Sequence, residues 1–491
     1  MTSLRLQDET PSTELRDLVS LVRRFRPTSL MKQLAQHSSI RQASNPLDSQ
    51  WDGISPWAIS EIAKFASVFS NEWVRDRNFD VHALRKMCWV IHNLGLPKTD
   101  DDSNTLAKRG LLQMGFEQFP YQRDLYGSAA RAVAVLVDTP NRHEHLAKQR
   151  DLANSAFGVD LIKAVYTSLL LFHAISQSQG SLSFLTFERE DLGGLFAQVS
   201  RKEFQIAAEN LIIPVSEFRN SVTHEKLPDP SSIRLQQNPL ILKPIVELER
   251  GELVAPELSN ILRSVGFDAV LNRIWSQSNR FRQVGPVFQQ YVEDLANQVS
   301  GAKVISEFKY ETKGKNRDTI DFFIVLPGLL VLVEVKSARP LGDLISGQVE
   351  VDSAYDDVFG VATKQLNESF RYLREISKKQ KEIPATGNVI GLVVTAERFH
   401  LSNSTLFTKN LERDFPTFHI CAEEFEALVQ LDAKQIAQKL IEISIDPDKS
   451  MWDLSESMPD LRELQDRNPL IETALKRVTQ MAFPISGVLN F

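Results

Sequence analysis

The sequence predicts a multidomain α+β protein, in which an N-terminal α-helical domain precedes an α/β domain with a central mixed sheet. Three observations carry that expectation. The chain has 491 residues, more than a single hydrophobic core ordinarily serves. From Pro56 to about Arg219, apolar residues recur at the spacing of a helix face. From about Gly285 the pattern changes to helix, three strands, helix and two further strands.

Taken in order, one helix is expected near Thr13 to Phe25. Helices follow in PWAISEIAKFASVF, VHALRKMCWVIHNL, SAARAVAVLV and DLIKAVYTSLLLFHAI, separated by polar, Pro- or Gly-containing breaks. Residues 1–225 therefore read as a helical recognition or assembly domain. The polar, Pro-containing KLPDPSSIRLQQNPL opens a linker and lead-in over 226–284. The α/β domain is expected over 285–445, with a helical extension over 446–491.

Composition narrows the function classes. Hydrophobic residues make up 42% of the chain and charged residues 24%, a balance that builds real cores and fits a soluble globular protein. No apolar run approaches the eighteen or so residues that span a bilayer, so no membrane partner is expected. The polar, acidic start lacks the character of a signal peptide, and a cytoplasmic location is expected. Cys88 and Cys421 lie far apart, which argues against a disulfide scaffold and a cysteine-built zinc site. The net charge of −7 speaks against a protein coated in basic surface, though a local positive groove suffices to bind phosphate. There is no GxxxxGKS/T loop, so no intrinsic P-loop ATPase is expected.

Chemistry concentrates in two strands. DTIDFFIVL (318–326) and LLVLVEVKSA (329–338) are apolar and joined by Pro327-Gly328, which suits a type II turn and a hairpin. Residues two apart on a strand share a face, so Glu334 and Lys336 point one way while Val331, Val333 and Val335 pack the other. Asp321 sits on the partner strand. Lone charges in such strands cost several kcal/mol unless they are paired or bind a metal. A divalent cation held between Asp321 and Glu334 would satisfy all three groups; a buried salt bridge from Lys336 to one acid is the simpler alternative.

Helices flank the hairpin. GPVFQQYVEDLANQV (285–299) is amphipathic, with Gln289 and Glu293 one turn apart at the border of its apolar arc. VATKQLNESFRYLREISKKQ reads as one helix, with Lys364, Arg371, Arg374 and Lys378 along one side and Gln365 among them. A basic stripe of this kind positions a phosphodiester backbone, and a merely solvated face would look the same. The segment KYETKGKNRD is expected as a basic loop carrying Lys313, Lys315 and Arg317, which either touch nucleic acid or stay solvated.

Asp321, Glu334 and Lys336, in an α-β-β-β-α-β order, make residues from about 285 to 430 resemble the PD-(D/E)xK, or restriction endonuclease-like, nuclease superfamily. The resemblance implies a restriction endonuclease-like domain that cleaves DNA, with RNA not set apart by the motif. It implies that Asp321, Glu334 and the Val335 carbonyl hold Mg²⁺ or Mn²⁺, and that Lys336 orients or deprotonates water. Relatives often carry an acid directly after the helix aromatic. Gln289 stands there, and Glu293 is the acid that could replace it, while Gln365 would support the site. The architecture suggests a restriction or anti-phage defence effector, and a homo-oligomer is compatible with it. Two alternatives stay open: an inactive nucleic-acid-binding or assembly subunit on a nuclease fold, and a nuclease subunit that depends on a separate ATPase, helicase or sensor partner.

Overall fold

The computed structural model describes residues 15–44, 49–75, 77–94, 105, 108, 110–112, 115, 118, 121, 124–188, 196, 198–223, 233, 236–277, 280–312, 314–338, 351–464 and 468–488. The fold is mixed α+β. Helices α1 (Leu15–Val22), α2 (Pro27–Ala43), α3 (Pro56–Phe69) and α4 (Val81–His92) form an N-terminal unit. Their starts are explicit in the sequence: Pro27 and Pro56 occupy first-turn positions, and Asp80 accepts from the Ala83 N–H at 2.8 Å.

Beyond this unit run α5 (Leu125–Val133) and α6 (Leu161–Gln177), then α7 (Val284–Ala296), α8 (Val361–Arg371), α9 (Leu373–Lys379), α10 (Ala422–Leu428), α11 (Ala433–Ile445) and α12 (Pro469–Val488). Strands occur both in the span read as helical and in the expected linker. β1 (Ser181–Ser183), β2 (Ile212–Pro214), β3 (Ile245–Glu247) and β4 (Glu252–Val254) form a four-stranded sheet in the order β1-β4-β3-β2. Its alternation divides two cores. Val246, Val254 and Ile213 face the N-terminal helices, whereas Ile245, Leu253 and Leu182 face α6 and the main core.

The larger sheet has the order β11-β10-β9-β8-β5, built from β5 (Lys303–Ser306), β8 (Phe322–Leu326), β9 (Leu329–Lys336), β10 (Asn388–Thr395) and β11 (Thr417–Cys421). It is mixed: β5/β8 and β8/β9 are antiparallel, while β9/β10 and β10/β11 are parallel. Leu326 pairs with Leu329 around Pro327-Gly328, and Gly328 takes φ +74°, the positive value a type II turn requires at its third position. One face, through Phe322, Ile324, Val331, Val333 and Val335, packs on α7, α10 and α11. The other, through Ile305, Phe323, Leu330, Leu332 and Val393, packs under α8 and α9.

Further features differ from the sequence expectation. The segment expected as a loop at 309–318 is a hairpin, β6 (Lys309–Thr312) with β7 (Lys315–Asp318), and Lys313 lies outside the described residues. The single helix expected over 361–380 breaks at Tyr372 (φ −101°, ψ 16°) into α8 and α9. The span 226–284, expected as linker and lead-in, contributes Leu240, Val246, Leu253, Leu258, Ile261, Val270 and Ile274 to the cores, each at most 1% exposed. One main core runs from Ala129 to Met481, so α12 packs on α5 and α6, and α7 on residues 134–149, across the boundaries expected at 226, 285 and 446. Among the described residues, the stretch Glu144–Gln177 is long and apolar enough to cross a membrane, where no apolar run of that length was expected. Its apolar window is 72% buried inside the protein, as a core helix is.

Candidate active site

The registers of β5, β8, β9 and β10 set the site. Phe322 pairs with Val333, so Asp321, one residue earlier, stands opposite Glu334 at the open end of the hairpin, and Glu334 in turn pairs with Val393. Side chains opposite one another share a face. Asp321 and Glu334 thus lie on the α8 side, where Gln365 reaches down from the helix.

The contacts are short and directional. Asp321 Oδ2 accepts from the Val335 N–H at 2.6 Å. Lys336 Nζ donates to Glu334 Oε1 at 2.7 Å and to Gln365 Oε1 at 2.8 Å, so the ammonium is clamped between strand and helix. Glu334 is 2% exposed, and its second oxygen, Oε2, is buried without a hydrogen-bond partner. Burial, followed by the neighbouring Glu334 charge, pushes the Asp321 carboxyl up to about 7. Burial also raises Glu334, against the opposing pull of Lys336. A buried and a half-buried carboxylate facing one ammonium leave an excess negative charge, the imbalance a divalent cation corrects.

The donor set fits such a cation. It is all oxygen, one acceptor is orphaned, and both acids are held by neighbours that fix their orientation. Among the described residues no group of three or more His, Cys, Asp or Glu side chains is gathered as a ready cage. Two carboxylates suit Mg²⁺, which keeps several waters. Chemically, the arrangement combines a cation position with a fixed ammonium beside it.

The structure brings together Asp321, Glu334, Lys336 and Gln365, with the Val335 backbone between the acids. Glu293 is not brought to them. Its carboxylate accepts from Ser306 Oγ, and Ser306 shares a face with Val304, which packs on the α7 side of the sheet. The opposite pleat separates Glu293 from Asp321, a consequence of period-two alternation that α7 alone could not reveal. The acid that does belong to the row is Glu307. Ser306 pairs with Phe322, so the next residue falls beside Asp321, and the Glu307 charge raises both Asp321 and Glu334.

The predicted phosphate contacts divide. Arg371 is taken by Asp414, with hydrogen bonds of 2.6 and 3.2 Å, and Arg317 is paired with Glu368 while lying 5.1 Å over the Tyr372 ring. Both pair with carboxylates of this chain, so a phosphate would have to compete with Glu368 and Asp414 for them. Lys315, Lys364, Arg374 and Lys378 are exposed, and among the described residues none has an ion-pair partner. Lys364 and Arg371 border a groove of about 640 Å³ along α8, whose wall also carries Glu368 and Glu412.

No family model matches the chain, and no curated protein matches it. Among solved structures, the chain is similar to the small subunit of the heterodimeric restriction endonuclease R.BspD6I, with 14% identity, a TM-score of 0.17, and coverage of 40% of this chain and 88% of that one.

Proposed function

We propose that the chain is a metal-dependent nuclease that hydrolyses phosphodiester bonds in DNA. One observation carries the reading: Asp321, Glu334 and Lys336 meet at the end of paired strands, with Glu334 Oε2 lacking any partner and Lys336 Nζ fixed by Gln365. A structural salt bridge accounts for Lys336 and Glu334 Oε1. It leaves Asp321 and the orphaned oxygen unexplained.

Asp321, Glu334 and the Val335 carbonyl would hold Mg²⁺ or Mn²⁺, and the chemistry such a cation supplies is polarisation of the phosphate and acidification of a water. Lys336 offers a positive charge and three donors directed by Glu334 and Gln365, so it orients the attacking water and stabilises the charge that grows on the phosphate oxygens. Asp321, tied to the Val335 N–H, keeps its second oxygen for the cation. Lys364, beside Gln365 on α8, steers the phosphate backbone.

The test is nicking of supercoiled plasmid in Mg²⁺ or Mn²⁺ by the wild type and by Lys336→Ala. Cleavage by the wild type alone is expected. Equal cleavage by both proteins overturns the assignment.

A further inference from the structure

Far along the chain from these strands, the N-terminal unit presents an aromatic side chain that packing does not use. Trp73 is 93% exposed, in the connection between α3 and α4. An indole left in water forgoes the largest apolar burial any side chain offers.

The connection is not a loose tip. Trp73 N–H donates to Asn71 Oδ1 at 3.0 Å, and Thr28 donates to Glu72 through its N–H at 3.2 Å and its hydroxyl at 2.9 Å. Arg26 Nε donates to the Val74 carbonyl at 2.7 Å, and the Phe79 N–H donates to Gln33 Oε1 at 2.7 Å. Ser70 Oγ donates to the Phe25 carbonyl, and the Phe25 and Phe79 rings meet edge to face with centroids 5.2 Å apart. The segment is fastened to the α1–α2 corner along its length, so the indole is held out on a supported frame.

Arginines surround that frame. Arg23, Arg24 and Arg26 come from the α1–α2 corner, and Arg75 and Arg77 from the connection itself; all five are exposed. Arg23 Nε donates to the Phe69 carbonyl at 3.3 Å, which lays its stem along the same segment. Among the described residues none of the five pairs with a carboxylate. Glu72 is committed to Thr28 and Asp80 to the α4 cap, and Asp76 lies outside the described residues.

We propose that this corner is a second nucleic-acid contact, which stacks an unpaired base on Trp73 and places the arginines against the flanking phosphates. Every base has a π-face, and only a single strand, an end or a flipped base exposes it, so the patch reads strandedness rather than sequence. The guanidinium forks match phosphate oxygens. A protein partner would need apolar area around the tryptophan, and Asn71, Glu72, Arg75 and Asn78 offer polar surface instead.

The test is fluorescence anisotropy of a labelled oligothymidylate, and of its duplex with oligoadenylate, in EDTA so that nothing is cleaved. The wild type is expected to bind the single strand more tightly than the duplex. Trp73→Ala should weaken single-strand binding by roughly tenfold and leave duplex binding unchanged, with Trp73→Phe in between. Arg24→Glu with Arg75→Glu should flatten the salt dependence of binding. These side chains are exposed, and unchanged thermal melts show the variants folded. Because binding is read in EDTA, the outcome does not depend on whether the hydrolytic site cleaves. Wild-type protein that ignores the oligonucleotide, Trp73→Ala that binds it undiminished, or polyglutamate that blocks its binding would each overturn the proposal.

Discussion

Asp321 Oδ2 accepts the backbone N–H of Val335 at 2.6 Å, so the first acid of the hairpin is bound to the residue between Glu334 and Lys336. The bond fixes the Asp321 carboxylate beside the buried carboxylate of Glu334, and their mutual repulsion is built into the fold. Asp321→Asn keeps an oxygen for the Val335 N–H while removing one charge. The Asp321 carboxyl is raised to about 7, above an unfolded value near 3.9. Its contribution to stability is therefore full below about pH 4 and is lost as pH rises through 7. Without added metal, Asp321→Asn should be more stable than the wild type at pH 8, with the difference shrinking towards pH 5 in thermal melts.

The same substitution should abolish the response to cations. A ligand at a hundred times its Kd stabilises a native protein by about 2.7 kcal/mol, so Mn²⁺ should raise the wild-type melting temperature. Asp321→Asn should melt alike in Mn²⁺ and in EDTA. A wild type that shows no shift in millimolar Mn²⁺ removes the cation from the site.

Lys336→Ala strips Glu334 of its one ion pair and the site of its ammonium. Loss of a positioned proton-transfer or charge-stabilising group costs on the order of 100-fold or more in rate. Plasmid nicking should fall by at least that factor. Its melting temperature should fall too, since Glu334 is left buried without a partner.

Gln365 acts through Lys336. It is exposed on α8, so Gln365→Ala should leave the melting temperature within a degree or so while slowing cleavage roughly tenfold, because Nζ keeps only its bond to Glu334. A double-mutant cycle isolates the coupling: Lys336→Ala with Gln365→Ala should be no slower than Lys336→Ala alone. Additive losses would show that Gln365 contacts the substrate independently.

What could be read from the sequence follows from where the physics is local. The β8–β9 hairpin was legible because apolar strands, a Pro-Gly turn and charges at period two all pointed to one arrangement, and Gln365 followed from the adjacent helix. β6 and β7 escaped because KYET and KNRD are polar and only four residues long: β6 alternates, with Tyr310 and Thr312 inside, but over too short a run to stand out, and β7 has no buried position. Glu307 escaped because an exposed acid after a strand is ordinary until the β5–β8 register sets it beside Asp321. The contact of Glu293 with Ser306 was hidden for the converse reason: a helix wheel shows which side a residue takes, not which face of the sheet that side meets. The three-residue strands of the smaller sheet carry too few residues for a periodic signal.

A buried network spans the expected boundary at 226–284, and its role is testable. Arg131 on α5 is buried against α10, with Nη2 2.7 Å and Nε 2.8 Å from the Glu426 carboxylate and Nη1 3.0 Å from Glu423; the Tyr291 hydroxyl on α7 donates to Glu426 at 2.8 Å. This network joins the helical half to the sheet half within one apolar core. Removing one partner of a buried pair costs about 3–5 kcal/mol because the other charge is stranded. Arg131→Met should lower the melting temperature markedly, and adding Glu426→Gln should recover part of the loss by removing the stranded charge. The same core predicts the fate of a fragment starting at residue 285: without residues 125–177, the apolar faces of α7 and α12 are exposed. Expressed alone, that fragment should aggregate or bind a hydrophobic dye, and coexpressed residues 1–284 should restore a soluble complex. A fragment that is soluble, monomeric and cooperatively folded on its own would show that the sheet half is an independent domain after all.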